Sequence, residues 1–577
     1  MNNSKIIFDI EADGLNPNNV WCIVAKELNG TSHTFDNTQI EEGIKFLQEA
    51  DTLIGHNIIG YDIPVLEKLY DAKFNCKIED TLVMSRLFNP VRENGHSLKA
   101  WGWRVGCLKQ EQPEDFDSYT PEMLEYCIQD VKLNEAVYNY LINEGKIFSK
   151  ECIDLEHRVA KIMKEQEKTG FFFNTQQAME LLAELKAKQL AVEDEVHNTF
   201  KPKLVDDKLV TPYVRKDGEL SKRGMTDEEY HNCIKTQSVE PFMRQKLVDF
   251  NLGSRKQIGE YLIDFGWVPK KFTPTGQPIV DEGTLKKIEH IREAKLIADF
   301  LLYQKRIAQV TSWIDELKDD RVHGSVIPNG TITGRMTHRN PNMAQVPNAG
   351  SPYGKECRSC WTIPDGYKLV GIDASGLELR MLAHYMDDSD YIEEVINGDI
   401  HTTNQNLAGL KTRDQAKTFI YALVYGAGDA KIGSVAGGGL KKGKELKQTF
   451  FKNLPSLRTL KDKVQKASER GFLKGLDGRK IYVRSQHAAL NTLLQGGGAI
   501  VMKKAMCILQ ELINLNALDA KFVANIHDEW QIQVKESQAE FVGQLGVEAI
   551  EKASQHFNMR CPLTGEYKIG ENWYETH

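Results

Sequence analysis

The apolar positions of the chain include two runs that end in acidic residues. Residues 369–372 form a continuous apolar stretch that predicts a buried strand ending on Asp373, and a glycine-containing turn then leads into the helical pattern of residues 377–382. Further along, two alternating stretches meet at residues 527–529, His-Asp-Glu, which predicts a hairpin with acids at its tip. A single aspartate after a strand is most often only a strand cap. If Asp373 and Asp528 converge, however, they can hold two metal ions about 4 Å apart, the arrangement used for in-line phosphoryl transfer.

Between these two motifs, the pattern predicts a helix over residues 413–425. Thr412, followed three residues later by Gln415, forms a capping box, and Gly426 is a natural stop. One face of this helix, about 18 Å long at 1.5 Å per residue, carries side chains spaced by four. They are Arg413, Lys417, Tyr421 and Tyr425. The face suits a nucleoside triphosphate, with the cations on the phosphates and an aromatic ring under the base. An amphipathic helix with solvated cations is the plainer interpretation, and only the flanking acids argue against it.

The first 150 residues hold a second group of carboxylates. Residues 6–11 predict a strand in which Asp9 and Glu11 point to the same face. Asp62 follows another strand-like run, and Tyr126 and Asp130 lie one helical turn apart. Four carboxylates and a tyrosine could bind two metal ions and orient a water molecule. Taken singly, each acid is as readily a turn cap.

From residue 154 to about residue 317 the pattern is strongly helical. One helix is predicted to end near Gly170, Asn174 or Thr175 caps a long second helix, and a third runs through residues 285–302. Segment 200–250 lacks clear periodicity and is rich in polar residues and turn formers, with ten basic and nine acidic residues. The lysines and arginines of this region are as readily solvated helix faces as phosphate contacts.

Length and hydropathy narrow the class of protein. A chain of 577 residues should hold several domains, because a single core rarely serves more than about 250 to 300 residues. No run approaches the roughly 18 uncharged apolar residues of a membrane span, and the first residues lead into a strand-like segment rather than a signal peptide. We therefore expect a cytoplasmic protein without a membrane contact.

Charge and cysteine content exclude fewer classes of protein than length and hydropathy do. The net charge of −8 argues weakly against nucleic-acid binding, because acidic metal sites and solvated helices can lower the sum while a basic groove survives. The ten cysteines are scattered, and their one close pair, Cys357 and Cys360, lacks a second pair or histidines at zinc-ligand spacing. We expect free thiols in a reducing compartment.

In their order along the chain, the three central motifs resemble motifs A, B and C of the family A (DNA polymerase I-like) polymerases, and they are most similar in wording to the replicative polymerases of T-seven-type bacteriophages. Residues 398–402, 475–480 and 487–495 extend the match. The resemblance implies an α/β multidomain fold: a ribonuclease H-like 3′-5′ exonuclease domain over residues 1–150, a helical thumb over residues 151–330 with a variable insertion near 200–250, and a right-hand polymerase over residues 331–577. In that last part, an antiparallel palm sheet joins fingers at about residues 390–475.

The resemblance further implies a replicative DNA-directed DNA polymerase that adds dNTPs to a primer 3′ end with two magnesium ions. The metal ligands it implies are Asp373, Asp528 and the backbone carbonyl of Ala374, with Glu529 as a neighbouring catalytic acid. The nucleotide contacts it implies are Arg413, Lys417 and His401 on the triphosphate, Tyr421 and Tyr425 near the sugar and base, and Glu378 as a steric gate beneath the sugar C2′.

The DNA contacts implied by the resemblance lie on both sides of these motifs. They are Arg335, Gln345, Arg479, Asn491, Gln495 and His527. Donors such as Asn491 and Gln495 can test the geometry of a base pair without reading its sequence, because every correct pair presents minor-groove acceptors. Amides one helical turn apart are otherwise ordinary surface residues.

The acids of the first 150 residues resemble the DEDDy type of 3′-5′ exonuclease. The resemblance assigns Asp9, Glu11, Asp62 and Asp130 to two magnesium ions, which Mn²⁺ can replace, and Tyr126 to the attacking water. Because every motif residue is present, we predict active proofreading.

Partners and rival functions complete the expectation. Primer-template DNA and dNTPs are the implied ligands, and segment 200–250 is the candidate seat of a processivity factor. Thioredoxin is in doubt there, because the segment is less basic than the family's thioredoxin-binding insertion. A replicative helicase-primase in phage DNA replication is a further implied partner. The rivals are a repair exonuclease whose C-terminal half only binds DNA, and a nucleic-acid-binding scaffold with both sites dead.

Overall fold

The computed structural model describes residues 4–28, 30–113 and 115–577. The expectation of no signal peptide rests in part on the first residues, and residues 1–3 lie outside the described part. The chain forms two compact units, one of residues 1–175 together with 316–577 and one of residues 176–315. None of the helices in the described ranges is both long and apolar enough to cross a bilayer.

A mixed five-stranded sheet forms the N-terminal part of the first unit. Its strands are β1 (Lys5–Ala12), β2 (Val20–Glu27), β3 (Ser32–Phe35), β4 (Thr52–Gly55) and β5 (Lys77–Asp80). The helices around it are α1 (Ile40–Gln48), α2 (Asp62–Tyr70), α3 (Thr81–Phe88), α4 (Leu98–Val105) and α5 (Pro121–Glu144). The strand order is β3-β2-β1-β4-β5, with β1 parallel to β4 and antiparallel to β2. The central strand β1 therefore carries Asp9 and Glu11, as its sequence predicted.

Two helices and a short strand follow, and the second unit begins within the later helix. They are α6 (Lys150–Thr169), β6 (Phe171–Phe173) and α7 (Thr175–Thr199). The remaining elements up to residue 315 are β7 (Lys203–Val210), β8 (Tyr213–Val214), β9 (Leu220–Ser221), α8 (Asp227–Thr236), β10 (Phe242–Val248), α9 (Arg255–Asp264), α10 (Glu282–Lys287) and α11 (Arg292–Asp315). The predicted stop at Gly170 is confirmed, because α6 ends at Thr169 and Gly170 has a φ of +66°.

Two predictions for this region were incomplete. The third helix expected through residues 285–302 is in fact α10 and α11, separated by a turn. The apolar spacing continues across the turn, since Leu285 and Ile288 are both buried, and so the pattern did not reveal the break. Segment 200–250 is also more regular than expected: β7 and β10 pair as an antiparallel ribbon, and α8 packs beside it around buried Val210, Met225 and Cys233.

The C-terminal part of the first unit contains a central antiparallel sheet, smaller groups of paired strands and many helices. Its strands are β11 (Leu317–Lys318), β12 (Arg321–Val322), β13 (Ser325–Ile327), β14 (Thr337–Arg339), β15 (Trp361–Thr362), β16 (Tyr367–Ala374), β17 (Phe472–Lys474), β18 (Lys480–Tyr482), β19 (Ala520–Ile526), β20 (Glu529–Lys535) and β21 (Gly565–Gly570). Its helices are α12 (Gly354–Ser359), α13 (Leu377–Met386), α14 (Ser389–Asn397), α15 (Ile400–Ala408), α16 (Arg413–Val424), α17 (Asp429–Val435), α18 (Leu440–Asn453), α19 (Pro455–Ser468), α20 (Ala489–Leu515) and α21 (Ala539–His556). The central sheet has the order β19-β20-β16-β21, and all its pairs are antiparallel.

The three consecutive glycines of α20 allow close helix packing. A Cβ on Gly497 would lie 2.4 Å from Met381 Cε and 2.8 Å from the Tyr385 hydroxyl, both on α13. A Cβ on Gly496 would lie 2.6 Å from Ile481 Cδ1 on β18. The glycines, which weaken a helix in isolation, are needed because α13 and β18 approach the α20 backbone directly.

A buried ion network joins α6 to α20 and to the turn between β17 and β18. Glu156 on α6 accepts hydrogen bonds from Lys503 Nζ at 2.7 and 2.9 Å and from Arg479 at 2.5 Å. Arg479 also donates from Nε to both Asp477 oxygens, at 3.0 and 2.9 Å. All four side chains are at most 3% exposed, so their two positive and two negative charges must balance one another.

We predict that Glu156→Gln destabilises the protein by about 3 to 5 kcal/mol, because it leaves a buried cation without its counter-charge. The matched control is Glu511→Gln, which removes an ion pair to Arg158 between the same two helices, where the two side chains are 64% and 41% exposed. That control should cost about 1 kcal/mol or less. Calorimetric unfolding midpoints of the two variants measure the difference, and equal midpoints would contradict the role given to the network.

Candidate active sites

The antiparallel sheet brings together the two acidic motifs of the C-terminal part. Asp373, near the end of β16, pairs in register with Glu529, the first residue of β20. The β19–β20 hairpin turns through His527 and Asp528, and the Ala374 N–H donates to the Asp528 carbonyl at 3.2 Å. The backbones that carry Asp373 and Asp528 are therefore in direct contact, and the predicted hairpin with acids at its tip is confirmed.

The two aspartates share an electrostatic environment that favours a cation. Partial desolvation in the cleft, together with the negative charges of Asp528 and Glu529, raises the pKa of Asp373 to about 7. Desolvation and the charge of Glu378 likewise raise the pKa of Asp528 to about 6. A divalent cation between these acids would relieve their repulsion. Mg²⁺ fits the site, because it prefers carboxylate oxygens as ligands.

Glu529 is held differently from its two neighbours. Its side chain is buried and accepts hydrogen bonds from Gln531 Nε2 and Trp573 Nε1, each at 2.6 Å, and from His577 Nδ1 at 2.7 Å. Burial alone would raise the pKa of Glu529, but these donors lower it. Glu529 is thus an anion fixed behind the two aspartates. Sequence reasoning missed its partners near the C-terminal end, because no motif marks them.

Helix α16 matches its prediction closely. It begins at Arg413 and ends at Val424, Thr412 Oγ1 accepts from the Gln415 N–H at 3.2 Å, and Gly426 has a φ of +71°. In a capping box the Gln415 side chain would accept a hydrogen bond from the Thr412 N–H. Here Gln415 Oε1 accepts instead from the Lys411 N–H at 3.2 Å. The local sequence therefore sets the start and end of this helix.

The face of α16 presents cations followed by aromatic rings. Arg413 and Lys417 are exposed, and Arg413 Nε donates to Asp399 Oδ2 at 2.8 Å. The rings of Tyr421 and Tyr425 are stacked, with centroids 6.5 Å apart and planes at 23°. An exposed ion pair such as that of Arg413 is worth about 1 kcal/mol or less, so an anionic ligand can replace Asp399 at little cost.

His401 on α15 lies against the same face. Its ring centroid is 6.3 Å from that of Tyr421. Its Nδ1 is buried and has no hydrogen-bond partner within the described ranges. Burial and the positive charges of Arg413 and Lys417 lower the pKa of His401, so the ring is neutral at pH 7. The sequence-predicted cationic residues and His401 are therefore brought together.

Glu378 connects this face to the acidic motifs and to Arg335. Its Oε1 accepts from the Tyr425 hydroxyl at 3.0 Å and from Arg335 NH2 at 3.4 Å. The Glu378 and Arg335 side chains are 18% and 22% exposed, so both reach the cleft while remaining fixed. The negative charge of Glu378 also contributes to the raised pKa of Asp528. Motifs separated along the chain thus meet at one carboxylate.

One of the predicted DNA contacts, Arg479, is placed differently from the others. Asn491 and Gln495 lie one turn apart on α20, and Asn491 Oδ1 is buried without a partner in the described part of the chain. Gln345 and His527 are exposed, and His527 occupies the hairpin tip with a φ of +59°. Arg479 is instead 3% exposed, with its guanidinium bonded to Asp477 and Glu156. This placement argues against Arg479 as a DNA contact, because no face of the guanidinium is open to a phosphate.

The N-terminal acids also converge. Asp9 and Glu11 extend from the same face of β1, and Asp62, the first residue of α2, accepts from the Ile10 N–H at 3.2 Å. Tyr126 and Asp130 lie one turn apart on α5. Burial and neighbouring carboxylates raise the pKa of Glu11 to about 8, and burial raises that of Asp62 to about 7. The group is therefore short of positive charge, and its all-oxygen donors fit magnesium.

Two residues near these acids escaped the sequence analysis. Cys127 Sγ lies within 4.8 Å of ligand oxygens of Asp9 and Glu11, but burial raises the pKa of its thiol, which therefore stays protonated and is a poor metal ligand. Lys109 Nζ forms an ion pair with Asp130 and lies 4.6 Å from the Tyr126 ring centroid. Lys109 belongs to no motif, so only the fold could place it here.

Comparisons with known proteins agree with this geometry. The family model described as DNA polymerase family A matches residues 225–575. The DNA-directed DNA polymerase of Enterobacteria phage T3 is 35% identical, over 91% of this chain and 92% of the phage protein. That of Escherichia phage T7 is 34% identical with the same coverage. Among solved structures, the polymerase domain of Pol1 from M. smegmatis, in complex with DNA primer-template and dNTP, superimposes with a TM-score of 0.79, covering 100% of this chain and 96% of that one at 18% identity. The fold is therefore shared along the whole chain.

We predict that Mg²⁺ binding between Asp373 and Asp528 weakens on the order of tenfold from pH 8 to pH 6. With pKa values of about 7 and about 6, the two acids are ionised at pH 8, and at pH 6 they must release protons before they can ligate. Titration calorimetry on an Asp62→Asn variant, which disables the N-terminal acids, measures the affinity. In Asp373→Asn the pH dependence should largely disappear, and a pH-independent affinity of the parent would contradict the prediction.

Proposed function

The chain belongs to DNA polymerase family A, and from that membership we propose that it is a replicative DNA-directed DNA polymerase with a 3′-5′ proofreading exonuclease. The observation that carries the polymerase reaction is the contact between the strand end of Asp373 and the hairpin tip of Asp528. Burial and the negative charges of Glu378 and Asp528 raise the pKa of Tyr421, so the acids and the α16 face border one cleft. A cleft with acids on one side and cations on the other suits a metal-bound triphosphate.

Asp373, Asp528 and the backbone carbonyl of Ala374 are the groups that would hold two magnesium ions, which Mn²⁺ can replace. When bound, such ions activate a primer 3′-hydroxyl and neutralise a triphosphate for in-line displacement of pyrophosphate. Glu529, fixed by Gln531, Trp573 and His577, adds negative charge behind the two ligands without leaving its own partners.

The α16 face would bind the incoming nucleotide. Arg413 and Lys417 attract its phosphates, and the neutral His401 ring donates a hydrogen bond to the leaving group. The stacked rings of Tyr421 and Tyr425 lie toward the sugar and base. Arg413 exchanges Asp399 for a phosphate oxygen as the nucleotide enters.

Glu378 would select deoxyribose, and amides would check the new base pair. Tyr425 and Arg335 fix the Glu378 carboxylate, so it cannot swing away from a ribose 2′-hydroxyl. Asn491 and Gln495 on α20, together with Gln345, His527 and Arg335, contact primer-template DNA in the proposal.

The N-terminal acids would form the proofreading exonuclease site. Asp9, Glu11, Asp62 and Asp130 hold its two magnesium ions, and Tyr126 orients the attacking water. The proposal is supported by the placement of all five side chains around one end of β1 and by the raised pKa values of the acids. We accordingly propose residues 1–150 as the exonuclease domain, with a ribonuclease H-like fold.

The remaining domains and partners follow from the same membership. We propose residues 151–330 as the thumb and residues 331–577 as palm and fingers, with the fingers at about residues 390–475. The ribbon of segment 200–250 exposes Leu204, Leu247, Leu209 and Met243 in facing pairs, which supports a processivity factor there, thioredoxin being one candidate. The polymerase would act in phage DNA replication in the host cytoplasm, beside a helicase-primase.

We predict that Asp373→Ala abolishes primer extension and leaves degradation of single-stranded DNA intact, whereas Asp62→Ala does the reverse. Each change removes a ligand from one acidic group and leaves the other group untouched. The assay compares extension of a primer-template with dNTPs and Mg²⁺ against degradation of the same labelled primer alone. Degradation by the parent without any extension would favour an exonuclease whose C-terminal half only binds DNA.

We predict that Glu378→Ala raises ribonucleotide incorporation by at least tenfold, because it opens the space beneath the sugar C2′ that a hydroxyl needs. The ratio of kcat/KM for dNTP and rNTP measures sugar selectivity. Tyr425→Phe is the control, since it removes a hydrogen bond to Glu378 but not the side chain that blocks the hydroxyl, and it should change the ratio much less. An unchanged ratio in Glu378→Ala would remove Glu378 from this role.

A further inference from the structure

A cavity of about 490 Å³ adjoins the loop that leads into Asp62. Asn57 and Gly60 of that loop line it on one side, and the β13–β14 hairpin, which ends in Arg339, lines it on another. Arg86 on α3 also faces the cavity. The space is large enough for a nucleotide but far too narrow for a duplex.

Two arginines give this cavity an unbalanced positive charge. Neither Arg86 nor Arg339 has a hydrogen bond or ion pair to a carboxylate in the described part of the chain. Burial lowers the pKa of the half-buried Arg86, the charge of Asp80 opposes this shift, and the charge of Arg339 adds to it. Two like charges held together in a partly desolvated place are costly unless an anion joins them.

The acids that line the same cavity are already occupied. Asp80 accepts from the N–H groups of Asn57 at 2.9 Å and Ile59 at 3.0 Å, and from two N–H groups at the start of α3. Glu167 pairs with Lys164 at 3.2 Å. Asp80 thus fixes the loop before Asp62 and offsets part of the positive charge of Arg86. Because Lys164 and Glu167 balance each other, the lining of the cavity keeps a net positive charge.

The histidines of the cavity do not change this balance. Burial lowers the pKa of both His56 and His96 to about 4, so both rings are neutral at pH 7. Their Nδ1 atoms lie 2.9 Å from Thr81 Oγ1 and 2.8 Å from Ser85 Oγ, respectively. The two guanidinium groups are therefore the charge that a ligand would meet.

The position of the cavity relates it to both acidic sites. Arg86 also lines a small neighbouring cavity with Gly334, and Gly334 lines another with Arg335 and His527. The cavity thus lies between residues that surround the polymerase acids and the loop before Asp62.

We propose that Arg86 and Arg339 form a phosphate subsite that holds the single-stranded 3′ end of a primer beside the exonuclease acids. The proposal rests on the proposed proofreading function. Guanidinium groups bind phosphodiester oxygens by charge-assisted, often bidentate hydrogen bonds, and this contact is independent of base sequence. An editing site needs that independence, because any base can be misinserted.

The test measures binding of a short 5′-labelled single-stranded oligonucleotide to the full-length protein in EDTA, by fluorescence anisotropy. Arg339→Gln, at an exposed position, and Arg86→Gln should each weaken binding several-fold and reduce the slope of log K against log salt by about 0.7. Arg339→Lys should recover most of the affinity. Lys552→Gln, which removes one exposed charge on α21, is the matched control and should leave the affinity unchanged.

A neutral methylphosphonate, scanned through the linkages near the 3′ end, identifies the phosphate that is bound. One linkage should weaken binding to the parent protein and have no further effect in Arg339→Gln, because the two changes remove the same contact. If both arginine variants bind the oligonucleotide with the same affinity and the same salt slope as the parent protein, the subsite is overturned. The subsite would also be overturned if Arg339→Gln changed only the competition by inorganic phosphate and left oligonucleotide binding unchanged. Arg86 and Arg339 would then form a site for free phosphate.

A separate measurement distinguishes this failure from failure of proofreading. The parent protein with Mg²⁺ should degrade the same oligonucleotide, and Arg339→Gln should raise KM several-fold with little change in kcat, since the acids are intact. If the parent does not degrade it, the proofreading function fails, and with it the editing role of the subsite. If degradation is normal and KM is unchanged in the variant, only the subsite fails.

Discussion

The pairing of β16 with β20 is the constraint on which the polymerase site depends. Its register sets Asp373 opposite Glu529, and the hydrogen bond from the Ala374 N–H to the Asp528 carbonyl closes the hairpin tip against the strand end. A slip of one residue would turn Asp373 to the other face of the sheet. The register is secured by apolar burial on both strands, since Ile372 and Val370 on β16 and Ile532 and Val534 on β20 are fully buried. Backbone pairing, rather than attraction between charged side chains, therefore assembles the acids.

Repulsion among like charges is the common feature of the functional regions. The acids around β1 and those at the hairpin tip have raised pKa values because they are desolvated and lie close to one another. The cavity near Asp62 has the opposite imbalance, because its lining holds Arg86, Arg339 and Lys164 against only two acids. The buried network between α6 and α20, by contrast, balances its charges, as Glu156 and Lys503 show. The regions described above with uncompensated charge are those where a metal ion, a nucleotide or a strand end would supply the missing counter-charge.

The features of the fold and the candidate sites that could be predicted from the sequence are those with a signal in neighbouring residues. The strand ending at Asp373, the hairpin at Asp528 and the limits of α16 were predictable because apolar runs, caps and stops are local signals. Burial of a charged side chain is not a local signal, and so Arg479 was interpreted as a DNA contact although it lies in an ion network. Partners far along the chain were missed for the same reason, as with Trp573 beside Glu529.

The ion network around Glu156 limits how the chain can be shortened. Glu156 lies on α6, which follows the N-terminal sheet in sequence, yet it neutralises Lys503 and Arg479 in the C-terminal part. Ser149, just before α6, donates its hydroxyl to the Asp477 carbonyl. A truncated fragment that started after α6 would leave one buried positive charge without its counter-charge. The proposed exonuclease region is therefore best removed by a cut upstream of Ser149. The boundary between the proposed exonuclease and polymerase domains therefore lies outside this helix.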